Sequence, residues 1–244
     1  MEVLSTAYET GWRLLLPILD GVDRLGVLRL TFPPTVSAPG LRQRCVEFAA
    51  LLGELLIGKG QYGDALQRVA RTETMAIAAE MQWQLLPPLT FGTDRVVITG
   101  RVEPCYSVGG DIFDYAVDGD SARFAIFDAM GHGLGAGVLA AVTIAAYRNA
   151  RRSGRGLTAA VLDIDAVMAE EFGPDKFVTG VLAELDLSSG RFRWVNCGHP
   201  HPLLVRGRRT LVPLACPPSS GRRDERAGGV EDASGVPAGA LTVD

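Results

Sequence analysis

No run of apolar residues in this chain is long enough to cross a bilayer, because the longest stretches are short and broken by polar residues. Basic runs are equally scarce. The net charge is −4, and Arg151-Arg152 and the arginines between Arg206 and Arg209 read as solvated turn ends, so no nucleic-acid footprint is present. The four cysteines, Cys45, Cys105, Cys197 and Cys216, stand far apart and form no CxxC pair. With no signal peptide either, they predict reduced thiols in a cytoplasmic protein. There are three histidines, His132, His199 and His201, and their spacing matches no zinc motif. A structural or supporting role is the better reading for each. No G-x-S-x-G elbow is present, which argues against a Ser/His/Asp hydrolase.

What remains is an ordinary globular composition: 244 residues, 47% hydrophobic and 21% charged, enough for one large domain or a domain plus a fragment. Residues 12–32 carry two apolar runs about a turn at Asp20-Gly21, the pattern of a β-hairpin. A helix is expected from about Leu41 to Ile57, with Cys45, Phe48, Ala49, Leu52, Leu55 and Leu56 at helical spacing and Gly58 and Gly60 ending it. From Thr72 the pattern is helical again, with Met75, Ala78, Ala79, Gln82, Leu85 and Leu86 on one stripe and Pro87-Pro88 as the stop. Residues 95–103 alternate as a strand.

The chemistry concentrates in VGGDIFDYAVDGDSARFAIFDAMGHGLGAG, residues 108–137. It reads as loop, strand, turn, strand, glycine-rich loop and helix start. Gly109 and Gly110 let the backbone turn just before Asp111, and Asp114 follows three residues on. Ala122, Phe124, Ile126 and Asp128 share one face of the second strand, so Asp128 ends an otherwise apolar row. A carboxylate at the end of a buried strand needs a partner. With Asp111 beside it, a hard divalent cation such as Mg²⁺ or Mn²⁺ fits, since such ions take oxygen ligands. On spacing alone a second reading stands level: two acids in ordinary turns, capping helices or facing water. Asp114 is the weaker candidate, suited to capping the turn.

Further along, an alanine-rich helix is expected from about Leu134 to Arg152 and an amphipathic one over Leu157 to Phe172. Residues 176–187, KFVTGVLAELDL, and 191–197, RFRWVNC, form a hairpin about Ser188-Ser189-Gly190, and a shorter hairpin turns at Gly207. Strands, then helices, then strands predict an α+β fold without βαβ winding. From Pro217 the chain becomes polar, glycine-rich and aperiodic, the composition of a disordered tail. Asp224, Glu231 and Asp232 lie there with no strand pattern around them.

VGGDIFD followed by FDAMGHG resembles the SpoIIE-like branch of the PPM-type, metal-dependent serine/threonine protein phosphatases. Three other segments carry the same resemblance: AAEMQWQLLP (78–87), Phe177-Val178-Thr179 with Asp186 and Gly190, and Asn196 with Gly198-His199-Pro200. The resemblance implies an antiparallel β-sandwich flanked by helices and a two-metal Mn²⁺ or Mg²⁺ site. It implies Asp111 and Asp128 as catalytic metal carboxylates and the backbone carbonyl of Ala129 as a further ligand. The family's later strands and its C-terminal metal aspartate have no match here, so the domain is expected to be incomplete at its C-terminus and its second metal site with it. Residues 1–70 are similar in order to the closing half of a GAF-type sensor; an N-terminal extension packed on the next domain is the equal alternative. The expected organisation is a GAF-like remnant over 1–70, a linking helix over 71–90, the phosphatase domain over 91–216 and a tail over 217–244.

The implied function is hydrolysis of phosphoserine or phosphothreonine on a bacterial regulatory protein, such as an anti-sigma-factor antagonist, in signal transduction. Dimerisation through residues 72–86 is a further expectation, with no nucleic-acid or membrane partner. Two rivals remain open: a catalytically impaired regulatory module of the same fold, and a small-molecule phosphohydrolase using the same two acids.

Overall fold

The computed structural model describes residues 4–8, 11–20, 23–36, 39–60, 63–64, 68, 71, 73–103, 109–206, 210–214, 231–233 and 241–242. Two compact units emerge: Met1–Glu73 with Pro88–Thr99, and Thr74–Pro87 with Gly100–Asp244. The segment 88–99 therefore groups with the N-terminal unit, and the expected linking helix groups with the second.

In the first unit, β1 (Leu4–Tyr8), β2 (Gly11–Asp20) and β3 (Asp23–Phe32) form an antiparallel sheet in that order. The expected hairpin is β2–β3: Asp20 pairs with Asp23, and the two turn residues between them lie outside the described residues. Leu14, Leu16 and Ile18 point from alternate positions of β2 to one face. Leu14 and Leu16 are buried there with Cys45 and Ala49 of α1 (Leu41–Gly60). Two short strands, β4 (Thr90–Gly92) and β5 (Val97–Thr99), pair antiparallel. The strand expected over 95–103 is thus confined to three residues.

The second unit is built on a five-stranded antiparallel sheet in the order β12-β9-β8-β7-β6. Its strands are β6 (Asp111–Asp118), β7 (Ser121–Ala129), β8 (Val178–Asp186), β9 (Phe192–Cys197) and β12 (Glu231–Ala233). Both faces are covered. On one lie α2 (Ile77–Leu85), α3 (Gly133–Arg152) and α4 (Leu157–Phe172). Ile112, Ala125, Phe127, Leu182 and Val195 of the sheet join Leu139, Ile144, Tyr147, Ile164 and Met168 of α3 and α4 in one core. On the other face Ala122, Val181, Ala183, Phe192 and Trp194 pack with Leu204 and Leu214. These two lie in and beside a small sheet of β10 (Leu203–Arg206), β11 (Thr210–Pro213) and β13 (Leu241–Thr242). The α+β, antiparallel architecture expected from element order is the one observed.

Two expectations need correction. The 217–244 stretch, expected to lack structure, contributes β12, paired with β9 through Glu231↔Trp194, and β13, paired with β10 through Leu204↔Leu241. Strand addition uses backbone groups, so composition alone does not exclude it. The helix expected from Thr72 begins at Ile77, and its stripe is spent within the unit. Ala78, Ala79 and Gln82 are buried, and Gly137 of α3 is so close to Ala78 that a Cβ on it would lie 3.3 Å from the Ala78 Cβ.

Candidate active site

Three strands bring the site together. In the β6–β7 register Asp111 stands opposite Asp128, and in β7–β8 Asp128 stands opposite Thr179. Side chains directly across a sheet share a face, so these three form a row at the end of the sheet where β6 begins and β7 ends. The face is the one carrying Ala122 and Phe124, as the alternation predicts. Asp128, however, is exposed, as is Asp111, so the premise that it ends a buried row is corrected. The more deeply buried face of β7 is the opposite one, through Ala125, Phe127 and Ala129 against the helices.

The loop around the acids is shaped by glycine. Ala129 donates its N–H to the carbonyl of Gly110 at 3.1 Å. A Cβ on Gly110 would lie 2.6 Å from the Ala129 carbonyl oxygen and 3.6 Å from Asp128 Oδ1. Both oxygens therefore border a notch that only a missing side chain leaves open. Gly109 packs as closely on Gly133, where its Cβ would meet the carbonyl at 2.7 Å, and Gly131 and Gly133 take positive φ of 91° and 67°. The residues expected over 104–108, leading into this turn, lie outside the described residues.

His199, for which the sequence suggests a structural or supporting role, sits beside the acids. Its Nδ1 is 3.1 Å from Thr179 Oγ1. Asn196 clamps its backbone from both sides: Oδ1 accepts from the His199 N–H and Nδ2 donates to the His199 carbonyl, each at 2.8 Å. Although its surface is exposed, partial desolvation of the Asp111 carboxyl pushes its pKa up, and the negative charge of Asp128 adds to this, while His199 opposes it. Burial pushes the His199 pKa down, against the pull of Asp128 and Asp111. The only signal for His199 in the sequence was the GHP segment; its neighbours come from three other strands.

Asp114 does not cap the turn. It is buried on the helical face, opposite in direction to Asp111, and takes Arg148 and Arg151 of α3. Among the described residues no group of three or more His, Cys, Asp or Glu converges as a metal cluster. The donor set that does converge is oxygen: two carboxylates of like charge and one carbonyl beside the Gly110 notch. That set fits one hard divalent ion.

A family model, Stage II sporulation protein E (SpoIIE), matches residues 118–219. That segment is a SpoIIE-family domain. The SpoIIE match takes in Asp128, Ala129, Thr179 and His199 but begins beyond Asp111, whose place in the site rests on the β6–β7 register. Among solved structures, the RsbU and RsbW domains of Rv1364c from Mycobacterium tuberculosis align at 26% identity, over 55% of this chain and 37% of that one, with a TM-score of 0.47. The PP2C phosphatase domain of SpoIIE from Bacillus subtilis, solved with a fragment of its regulatory domain, aligns at 22% over 52% and 38%, with a TM-score of 0.43. The SiaA PP2C domain of Pseudomonas aeruginosa aligns at 17% over 66% and 65%, also with a TM-score of 0.43. The chain thus spans well under half the length of the first two. No helix among the described residues is long and apolar enough to cross a membrane.

Proposed function

We propose that the second unit is a Mn²⁺- or Mg²⁺-dependent protein serine/threonine phosphatase domain acting on a phosphorylated regulatory protein, such as an anti-sigma-factor antagonist. The observation that carries this reading is the pairing of Asp111 with Asp128 beside Gly110, against which the Ala129 carbonyl packs too closely for any side chain. In this reading Asp111, Asp128 and the Ala129 carbonyl hold one ion. Such an ion, when bound, lowers the pKa of a water and offsets charge on the phosphate. The chain's own residues supply the rest. Asp111 and Asp128 bring two negative charges to one row, Gly110 lets the Ala129 carbonyl approach closely, and Thr179 with His199 lines the same row on the next strand. No side chain is needed as a nucleophile.

A second reading is favoured by one observation: among the described residues no third acid joins the pair. In it the domain binds a partner without turnover. Dimerisation through residues 72–86 would have to use the outer face of α2, where Ile77 is exposed, because Ala78, Ala79 and Gln82 are already buried in the unit. The first unit, whose described residues include the β1–β3 sheet, α1 and the β4–β5 pair, is read as the remnant of a sensor.

The test is manganese-dependent hydrolysis of p-nitrophenyl phosphate by the purified chain beside Asp128→Asn, followed by a phosphoserine protein. Activity lost in the variant supports the enzyme. Folded protein inactive in both forms sinks it and leaves the binding module.

A further inference from the structure

Among the described residues β6 stands at the edge of its sheet and pairs with β7 alone, so the described ladder holds it from one side. Yet β6 begins with Asp111, a group whose chemistry depends on a fixed distance to Asp128. Something other than the ladder has to fix β6, and the structure supplies it one turn of the pleat away. The buried carboxylate of Asp114 accepts from Arg148 Nη2 at 2.8 Å and Nε at 3.2 Å on Oδ1, and from Arg151 Nη2 at 3.1 Å on Oδ2. Two guanidiniums thus meet one carboxylate, leaving an excess of positive charge in a largely desolvated place. Arg148 donates a further bond from Nη2, 2.6 Å long, to the carbonyl of Leu85. Leu85 is the last residue of α2, where unpaired carbonyls and the negative end of the helix dipole collect. The cluster is therefore complete only when three elements are in place: the strand bearing Asp111, the helix that follows the Asp128 loop, and the end of α2.

We infer that Asp114 and Arg148 are positioning residues for Asp111: they fasten the β6 edge of the sheet to α3 and α2, and so set the separation of the two acids. The inference rests on the reading of Asp111 and Asp128 as metal carboxylates. Neither Asp114 nor Arg148 touches the reacting groups. Arg148 is suited to the task because its planar fork donates to two acceptors at once, which a lysine ammonium does with less geometric definition.

The experiment compares Arg148→Met, Arg148→Lys and Asp114→Asn with the whole chain, using Glu184→Gln as the control. Glu184 holds Arg123 and Arg193 elsewhere on the same sheet. Two quantities are measured beside the melting temperature: the Mn²⁺ dissociation constant by calorimetry, and amide hydrogen exchange of the metal-free protein over residues 109–113. Arg148→Met and Asp114→Asn should weaken Mn²⁺ binding about tenfold or more, the scale of losing a ligand-orienting partner. They should also speed exchange over 109–113. Arg148→Lys should fall between them and the parent, and Glu184→Gln should lose melting temperature while keeping the Mn²⁺ affinity. Unaltered Mn²⁺ affinity in folded Arg148→Met overturns the inference. Should Asp114→Asn fail to fold, the two Arg148 variants decide. If the parent chain binds no Mn²⁺, the metal reading falls, and exchange alone then judges the fastening: unchanged exchange in Arg148→Met overturns it, faster exchange upholds it.

Discussion

Asp111 and Asp128 stand directly opposite one another on β6 and β7, like charge facing like charge. Partial desolvation and Asp128 raise the pKa of Asp111 above its ordinary value of about 3.9. An acid whose pKa is raised on folding contributes stability below that ordinary value and loses it as the pH climbs through the raised one. The metal-free protein therefore carries an unrelieved penalty at neutral pH. Asp111→Asn should melt higher than the parent at pH 7 without metal, the gap closing toward pH 3. Added Mn²⁺ should raise the melting temperature of the parent and leave the variant where it was. Differential scanning calorimetry at two pH values, with and without Mn²⁺, checks both signs.

The notch at Gly110 gives a second expectation. A methyl group placed there would have to displace the Ala129 carbonyl. On the proposed phosphatase reading, Gly110→Ala should lower turnover by about a hundredfold, the scale of an ångström's misplacement at a reacting centre, while circular dichroism shows the fold retained. Turnover equal to the parent's would mean that the carbonyl takes no part.

Asn196 holds the turn that delivers His199 by two bonds of opposite polarity. Asp at this position keeps the acceptor and turns the donor into a second acceptor aimed at a carbonyl. Asn196→Asp should cost about 1–3 kcal/mol, the penalty of a buried group left unpaired, as read from urea unfolding.

Tyr147 is buried in the core, and burial pushes its pKa well up. Among the described residues its hydroxyl finds no partner. Tyr147→Phe keeps the ring against Phe127 and under Arg151, 5.6 Å from the centroid. It should leave stability unchanged or raise it by about 1 kcal/mol. A large loss in thermal unfolding would point to a bonded hydroxyl.

Asp186 closes the β8–β9 hairpin, accepting from the Ser188 hydroxyl and from the backbone N–H of Ser188 and Ser189. These bonds pull its pKa down to about 2. A lowered carboxylate pKa means stability present above about 4 and lost as the pH falls through 2. Asp186→Ala should thus be less stable than the parent at pH 7 and no different from it near pH 2.

Local pattern carried much of this architecture. The β2–β3 and β8–β9 hairpins and the helix over 157–172 follow from alternation, turn residues and helical spacing. Asp128 was placed at a strand end by the same means. What pattern could not supply is what lies across the sheet. Asp114 looked like a turn cap because its partners, Arg148 and Arg151, lie two elements further on. The exposure of Asp128 is hidden for a related reason: both faces of β7 are covered, and sequence does not mark where the cover over the Ala122 row stops. β1 and β12 were missed because they are short and are held by backbone pairing with neighbours that sequence does not mark.

The row Asp111–Asp128–Thr179 has a kinetic consequence. The first two belong to one hairpin, quick to close, but Thr179 arrives only after α3 and α4 have been threaded past. Loop closure over that span is among the slower steps of folding. A nascent chain would own its two acids early and the rest of the row late, so the pair of carboxylates is assembled before the sheet that surrounds it is finished.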